Sequence, residues 1–138
     1  MKSDFLGMEI RGKGIRGFAK GKAFKVTDFT GRNPFEGIPE GSILLCPTVT
    51  LSDSTLIDFR KVVAIVTSEP DTSGEVCLIA SGMGIPALVG MSGCFDEIVN
   101  GDRLLVRNLD LVINPELDTL MEFDRMRVEA SRQLRLDF

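Results

Sequence analysis

The sequence predicts an α/β fold, and three consecutive segments between residues 61 and 90 carry the prediction. Residues 62–66 form an unbroken apolar run, which is typical of a strand covered on both faces of its sheet. The next segment has apolar residues at the spacing that places them on one face of a helix: Val76, Ile79, Ala80 and Met83. Residues 87–89 then form a short apolar strand. A strand, a helix and a returning strand predict a helix packed on a sheet.

The residues that flank this helix predict where it begins and ends. Residues 72–75, Thr-Ser-Gly-Glu, match a capping box, in which the Thr72 hydroxyl and the Glu75 carboxylate each accept a hydrogen bond from a free backbone amide. Gly82 and Gly84 predict the end of the helix, because glycine readily adopts the left-handed conformation found there. Pro86 stops any continuation.

Three further strands are predicted before residue 61. The first lies at residues 8–11, and glycine bends within residues 14–21 separate it from a half-buried strand that ends near Val26. The third is the buried strand at residues 42–46. The glycines and prolines of residues 28–41 predict a surface loop between the last two strands.

The remaining elements follow from capping residues, turns and apolar spacing. They are a short helix at residues 54–60 capped by Ser52 or Asp53, a helical turn at 95–99, strands at 102–107 and 109–114 joined at Asn108, and one amphipathic helix at 115–138.

Composition predicts one globular domain, residues 1–138, and excludes several classes of function. Apolar residues make up 43% of the chain and charged residues 26%, an ordinary globular balance. The net charge of −4 gives no general attraction to nucleic acid or to an anionic membrane. The sequence has no run of about 18 apolar residues and no charged-then-apolar leader. We therefore expect a cytoplasmic protein with no nucleic-acid or membrane partner.

The cysteines do not predict a disulfide framework or a metal site. Cys46, Cys77 and Cys94 are odd in number and show no CxxC spacing. The chain also contains no histidine, so no transition-metal site and no cofactor is expected.

Residues 64–90 resemble the mobile, swivelling phosphohistidine domain of phosphoenolpyruvate-utilising enzymes: enzyme I of the sugar phosphotransferase system, phosphoenolpyruvate synthase and pyruvate phosphate dikinase. Thr67 and the run Gly-Ile-Pro-Ala at residues 84–87 stand where those families have the same residues. Residues 14–26 are similar to the opening strand of enzyme I. The resemblance implies a three-layer β/β/α swivelling fold, here without the helical insert of enzyme I, and a stand-alone domain.

The resemblance fails at the residue that carries the chemistry of those families. In an ungapped alignment the family histidine falls on Glu75, and the family's glycine pair falls on Pro70 and Asp71. Since the chain contains no histidine at all, a phosphohistidine cannot form on it. No catalytic residue is therefore predicted.

Three functions remain open. The one we favour is a binding or regulatory module without enzymatic activity. The second is a phosphotransferase component that uses another acceptor (Asp71, Ser73, Glu75 or Cys77) or acts as a subunit of a split phosphoenolpyruvate-utilising enzyme. The third is a small-ligand or anion site formed by the glycine turns at 81–84 and 91–93 against the helix amino end. The possible ligand-binding residues are Thr72, Ser73, Gly74, Glu75 and Gly84.

All four acceptor candidates also have a structural interpretation, and Asp71 and Ser73 suit ordinary loop and cap residues. Glu75 completes the predicted capping box, and Cys77 has apolar neighbours that suit a small core residue.

The helix at 115–138 predicts a protein partner or self-association. Its apolar residues exceed what one narrow stripe needs: Leu117, Leu120, Met121, Phe123, Val128, Leu134, Leu136 and Phe138. We expect some of them to stay exposed, and exposed apolar patches commonly mark partner surfaces.

Overall fold

The computed structural model describes the backbone of residues 7–31 and 33–136, and side chains as far as residue 132. The side chains of Leu134, Leu136 and Phe138, which the sequence adds to the apolar surface of the last helix, lie outside this part. The elements are β1 Met8–Arg11, β2 Lys13–Ile15, β3 Gly17–Lys25, β4 Ser42–Cys46, α1 Leu51–Ser54, β5 Val62–Thr67, α2 Glu75–Met83, β6 Ala87–Val89, α3 Ser92–Phe95, β7 Arg103–Asn108, β8 Asp110–Ile113 and α4 Leu117–Leu136.

The strands form one mixed sheet that curves until its two ends meet. Its order is β1-β8-β7-β3-β4-β5-β6-β2, with parallel pairing from β3 to β6 and antiparallel pairing elsewhere. β1 and β2 lie at opposite ends of this order, yet only Gly12 separates them in the chain. Glycine is needed along this bend, since a Cβ on Gly14, whose φ is +143°, would lie 2.0 Å from the Ala87 carbonyl oxygen.

The curvature creates an inner core between the two halves of the sheet. Leu45 and Val66 from the parallel half and Leu104 and Val106 from the antiparallel half are buried in one cluster. A second cluster lies between the outer face of β4, β5 and β6 and helix α2, to which Val76, Ile79 and Ala80 contribute. The predicted three-layer β/β/α arrangement is therefore confirmed, although Met83, the fourth residue of the predicted helix face, is 52% exposed.

Helix α4 adds a layer on the outer face of the antiparallel half. Phe123 is fully buried against Leu105 and Val112, with Phe18 and Leu120 at the edge of the cluster. The Phe18 and Phe123 rings meet edge to face with centroids 5.9 Å apart. None of the helices in the described residues is long and apolar enough to cross a bilayer.

The prediction of a short helix at residues 54–60 is wrong. The helix forms earlier, at Leu51–Ser54, because Thr50 and Asp53 make a reciprocal capping box. The Thr50 hydroxyl accepts from the Asp53 amide at 3.1 Å, and the Asp53 carboxylate accepts from the Thr50 amide at 3.0 Å. Ile57 is still buried, but in irregular backbone.

Three other boundaries also differ from the sequence expectation. The described residues of segment 28–41 form no helix or strand, as predicted, but the segment is not only a surface loop, because Phe35 and Ile38 are buried in the second cluster. Its glycines and prolines describe the backbone and say nothing about where those two side chains lie. The predicted turn at 95–99 lies earlier, at α3, and the hairpin link is Leu109, with Asn108 ending β7.

Candidate functional site

The candidate site is the connection between β5 and α2, where the family histidine position falls. The predicted capping box of Thr72 and Glu75 is wrong. Gly74 is the N-cap, with a left-handed φ of 78°, and no side chain of its own can cap the helix. This left-handed residue changes the direction of the chain just before Glu75, so the Thr72 hydroxyl makes no hydrogen bond to the amides of α2 in the described structure.

Asp71 takes the capping role instead. Its two carboxylate oxygens accept hydrogen bonds from the amides of Val76 and Cys77, each at 3.0 Å. Partial burial acts to raise the pKa of Asp71, but the hydrogen bonds from Cys77 and Val76 outweigh it and hold the pKa below its usual value. The amides of Val76 and Cys77 are therefore already bound to a carboxylate of the same chain, and the Glu75 amide donates to the Ser73 hydroxyl at 3.4 Å.

Glu75 is the first residue of α2 and is partly exposed. One carboxylate oxygen accepts from the Ser73 hydroxyl at 3.1 Å, and the other accepts from the Leu51 amide at 3.2 Å. Since Leu51 opens α1, Glu75 links the amino ends of two helices. A negative charge is also favourable at such ends.

Gly84 does not lie with the other predicted ligand-binding residues. It caps the opposite end of α2, where its amide donates to the carbonyls of Ala80 and Ser81. A helix of nine residues is roughly 13 Å long, so Gly84 lies well away from residues 72–75. The structure thus brings four of the five predicted residues together, and binding of a ligand by these four stays a prediction.

The turn at residues 91–93 does adjoin the loop after β5. The Gly90 amide donates to the Glu69 carbonyl at 3.0 Å, and the Met91 amide donates to the Thr67 carbonyl at 2.9 Å. Of the two turns in the predicted anion site, this one lies near the loop, whereas the turn at 81–84 ends α2 at its carbonyl end. Carbonyl oxygens and the negative end of the helix dipole do not favour an anion there.

The cysteines are not suited to act as nucleophiles. Burial, and secondly Asp71, raises the pKa of Cys77, which is only partly buried rather than a core residue. Burial, with Asp53, raises the pKa of Cys46 to about 12, and burial also raises the pKa of Cys94. All three thiols therefore remain protonated near neutral pH.

An open cleft of about 560 Å³ lies beside the loop, and no motif in the sequence predicts it directly. Pro70 and Met91 form part of its wall, and Arg11 and Lys13 lie on either side of Gly12, where β1 passes into β2. The only available signal was the glycine pattern of residues 12–17, which marks the bend. Among the described residues there is no group of histidine, cysteine and carboxylate side chains that could hold a metal ion.

The sequence of this chain matches a known protein family. The sequence profile of the family described as "PEP-utilising enzyme, mobile domain" matches residues 38–108. The chain belongs to this family. The match contains both the loop after β5 and α2, so the resemblance stated from residues 64–90 is confirmed.

Curated relatives of this mobile domain are much longer proteins. The phosphoenolpyruvate-protein phosphotransferase of Bacillus sp. (strain S) is 27% identical over 128 residues, which cover 91% of this chain and 22% of that protein. The protein of the same name from Enterococcus faecalis (strain ATCC 700802 / V583) is 30% identical over 119 residues, covering 85% and 20%. The chain thus spans about a fifth of the length of the curated relatives it matches.

Solved structures show the same fold at lower identity. A solution structure of enzyme I superposes with a TM-score of 0.62 and 18% identity, covering 70% of this chain and 40% of that chain. A chain of Thermococcus kodakaraensis aconitase X superposes with a TM-score of 0.58 and 20% identity, covering 78% of this chain and 98% of that chain. That aconitase X chain therefore consists of little besides this fold.

Proposed function

We propose that this mobile-domain homologue has lost the phosphoacceptor and acts in the cytoplasm as a binding or regulatory module that does not transfer phosphoryl groups. One observation carries the proposal: the carboxylate of Asp71 is bound to the amides of Val76 and Cys77 at the amino end of α2. These amides are the groups that would otherwise stabilise an incoming phosphoryl oxygen. A second anion at the same end would be repelled by the carboxylates of Asp71 and Glu75.

The side chain at the histidine position supports the same proposal. Glu75 is engaged by the Ser73 hydroxyl and the Leu51 amide, and both contacts use the carboxylate as an acceptor. Phosphorylation of one Glu75 oxygen would remove the negative charge of the carboxylate itself. It would also remove one of the two hydrogen bonds, from the Ser73 hydroxyl or from the Leu51 amide. The protonated thiols of Cys46, Cys77 and Cys94 offer no substitute acceptor.

The test is the intact mass of the protein after incubation with phosphoenolpyruvate, alone and with a complete phosphotransferase system as donor. We expect no phosphate-sized gain in mild acid or in mild alkali. A gain that is absent in Glu75→Gln would overturn the proposal and favour the second candidate, a phosphotransfer component or split-enzyme subunit with an acyl phosphate on Glu75. The feature that favours this second candidate is that Glu75 is a partly exposed carboxylate at a helix amino end.

A second copy of the chain is the partner we propose for α4. Leu117, Met121 and Val128 are 73%, 66% and 50% exposed. At 3.6 residues per turn they lie within roughly 40° of one another, on a stripe separate from buried Phe123. Asp118 and Arg125 lie seven residues apart along the same side of this stripe, and Arg125 also pairs with Glu122 of its own helix. In an antiparallel, two-fold pairing of α4 with its copy, Asp118 of each chain meets Arg125 of the other.

Sedimentation velocity over a range of protein concentrations tests this pairing. The small apolar stripe predicts a weak, concentration-dependent dimer that Met121→Glu disrupts. Leu78→Glu is the matched control, since Leu78 is 63% exposed on α2 and lies outside the stripe. A monomer at every concentration, or equal effects of the two substitutions, would contradict self-association through α4.

A further inference from the structure

The helices leave one strip of the outer sheet face uncovered, and the strip is positively charged. Ala19 and Ala23 of β3 are buried in the inner core, so the alternate residues Lys20 and Lys22 point outward. Arg103 of β7 lies beside them, and all three cations are exposed. Helix α2 covers the sheet on one side of this strip and α4 covers it on the other.

Two of these cations face each other directly. Lys22 and Arg103 are register partners across the antiparallel β3–β7 pair. Like charges directly opposite each other destabilise a sheet, whereas opposite charges in the same position stabilise it. The chain has 20 acidic residues against 16 basic ones, yet neither Lys22 nor Arg103 forms an ion pair within the part that the structure describes. Lys20 contacts Asp124 of α4 at 3.2 Å.

The strip also has a concave surface. A cleft of about 220 Å³ is lined by the three cations and by an apolar wall formed by Leu105, Pro115 and Leu120. The position of the Arg103 backbone is fixed by Asn114: the Arg103 amide donates to the Asn114 side chain at 3.0 Å, and the Asn114 amide donates to the Arg103 carbonyl at 2.7 Å. The backbone of Arg103 is therefore held by two hydrogen bonds to one residue.

We propose that this cleft binds the phosphoryl group of a small molecule between Lys22 and Arg103. A dianionic oxygen cluster placed there converts their repulsion into charge-assisted hydrogen bonds, and the arginine fork can donate two of them to one phosphoryl group. Lys20 supplies a third cation at the edge, while Leu105 and Leu120 contact a short apolar portion of the ligand. The small cleft and the net charge of −4 select a small molecule over a nucleic acid.

Binding is measured by amide chemical shifts at constant ionic strength, with inorganic phosphate and phenyl phosphate as probes. We expect saturable shifts at residues 20–22 and 103–105. If phenyl phosphate binds more tightly than inorganic phosphate, the ligand is a phosphate ester that uses the apolar wall. If the two probes bind equally, the ligand is the free oxyanion. Absence of saturable shifts with either probe would overturn the proposal.

Substitutions that each remove one positive charge distinguish a defined binding site from general electrostatic attraction. Lys22→Gln and Arg103→Gln should each weaken binding at least tenfold. Lys13→Gln, which removes one charge from β2 at the far edge of the sheet, should change it less than twofold. At low salt without phosphate, Lys22→Gln should also raise the melting temperature, because it removes the facing charge. Equal weakening by Lys13→Gln would refute the site, and so would a lower melting temperature of Lys22→Gln.

Discussion

Replacing Asp71 with alanine tests how the amino end of α2 is held. The change removes an acceptor from the amides of Val76 and Cys77, both at 3.0 Å. Loss of an N-terminal cap costs about 0.5–2 kcal/mol, and loss of a negative charge from a helix amino end costs about 0.3–1 kcal/mol. Because Asp71 is only partly buried, we expect a combined loss of about 1.5 kcal/mol in the free energy of unfolding, measured by urea denaturation at pH 7.

Two matched variants make this prediction specific. Asp71→Asn keeps an acceptor and loses the charge, so it should cost about 0.3–1 kcal/mol. Thr72→Ala removes the residue that the sequence pattern favours as the cap, and it should cost less than about 0.5 kcal/mol because that hydroxyl does not cap α2. A larger loss for Thr72→Ala than for Asp71→Ala would contradict the assignment of Asp71 as the cap of α2.

The pH dependence of the same measurement provides an independent check. The folded-state pKa of Asp71 is lowered from 3.8, so its charge contributes stability that is fully present above the unfolded pKa. This contribution is lost as the pH falls through the folded pKa. The difference between wild type and Asp71→Asn should therefore be constant near neutral pH and should shrink in acid below about pH 4. A difference that grows in acid would contradict this assignment.

The remaining predictions concern packing. Phe123→Ala should lower the free energy of unfolding by about 3–5 kcal/mol, because Phe123 is fully buried between α4 and the sheet. Leu117→Ala, on the exposed stripe of the same helix, should change the free energy of unfolding by less than about 0.5 kcal/mol at concentrations where the protein is monomeric. Equal losses for Phe123→Ala and Leu117→Ala in urea denaturation would show that α4 is not docked as described. Gly14→Ala should destabilise the protein strongly, because its Cβ would lie 2.0 Å from the Ala87 carbonyl oxygen; a melting temperature within a degree or two of wild type would contradict the close approach of β2 to β6.

The sequence predicts most of the architecture because its signals there are local. The apolar run of β5, the 3.6-residue spacing of α2 and the glycine bends around Gly14 each correspond to one element. The layer formed by α4 was harder to predict. Phe123 and Leu117 are both apolar residues of this helix, and only the three-dimensional position of α4 decides which of them is buried.

The details of the candidate site were less predictable because they depend on long-range contacts and on one unusual backbone angle. Thr72 and Glu75 have the correct spacing for a capping box, but the left-handed Gly74 replaces it with a contact from Asp71, five and six residues before its partners. The Glu75–Leu51 hydrogen bond joins residues 24 positions apart. The facing charges of Lys22 and Arg103 likewise depend on strand register, which the sequence leaves open.

The most direct test of the central claim is the intact mass of wild type and Glu75→His after incubation with phosphoenolpyruvate and a complete phosphotransferase system. We expect no phosphate-sized gain in either protein, because Asp71 remains bound to the amides of Val76 and Cys77 when position 75 is changed. Proline at position 70 also restricts the loop that would have to present a phosphohistidine. Phosphoryl acceptance by wild type, or by Glu75→His at the rate of an intact enzyme I, would contradict the claim that this helix end is closed to phosphoryl transfer.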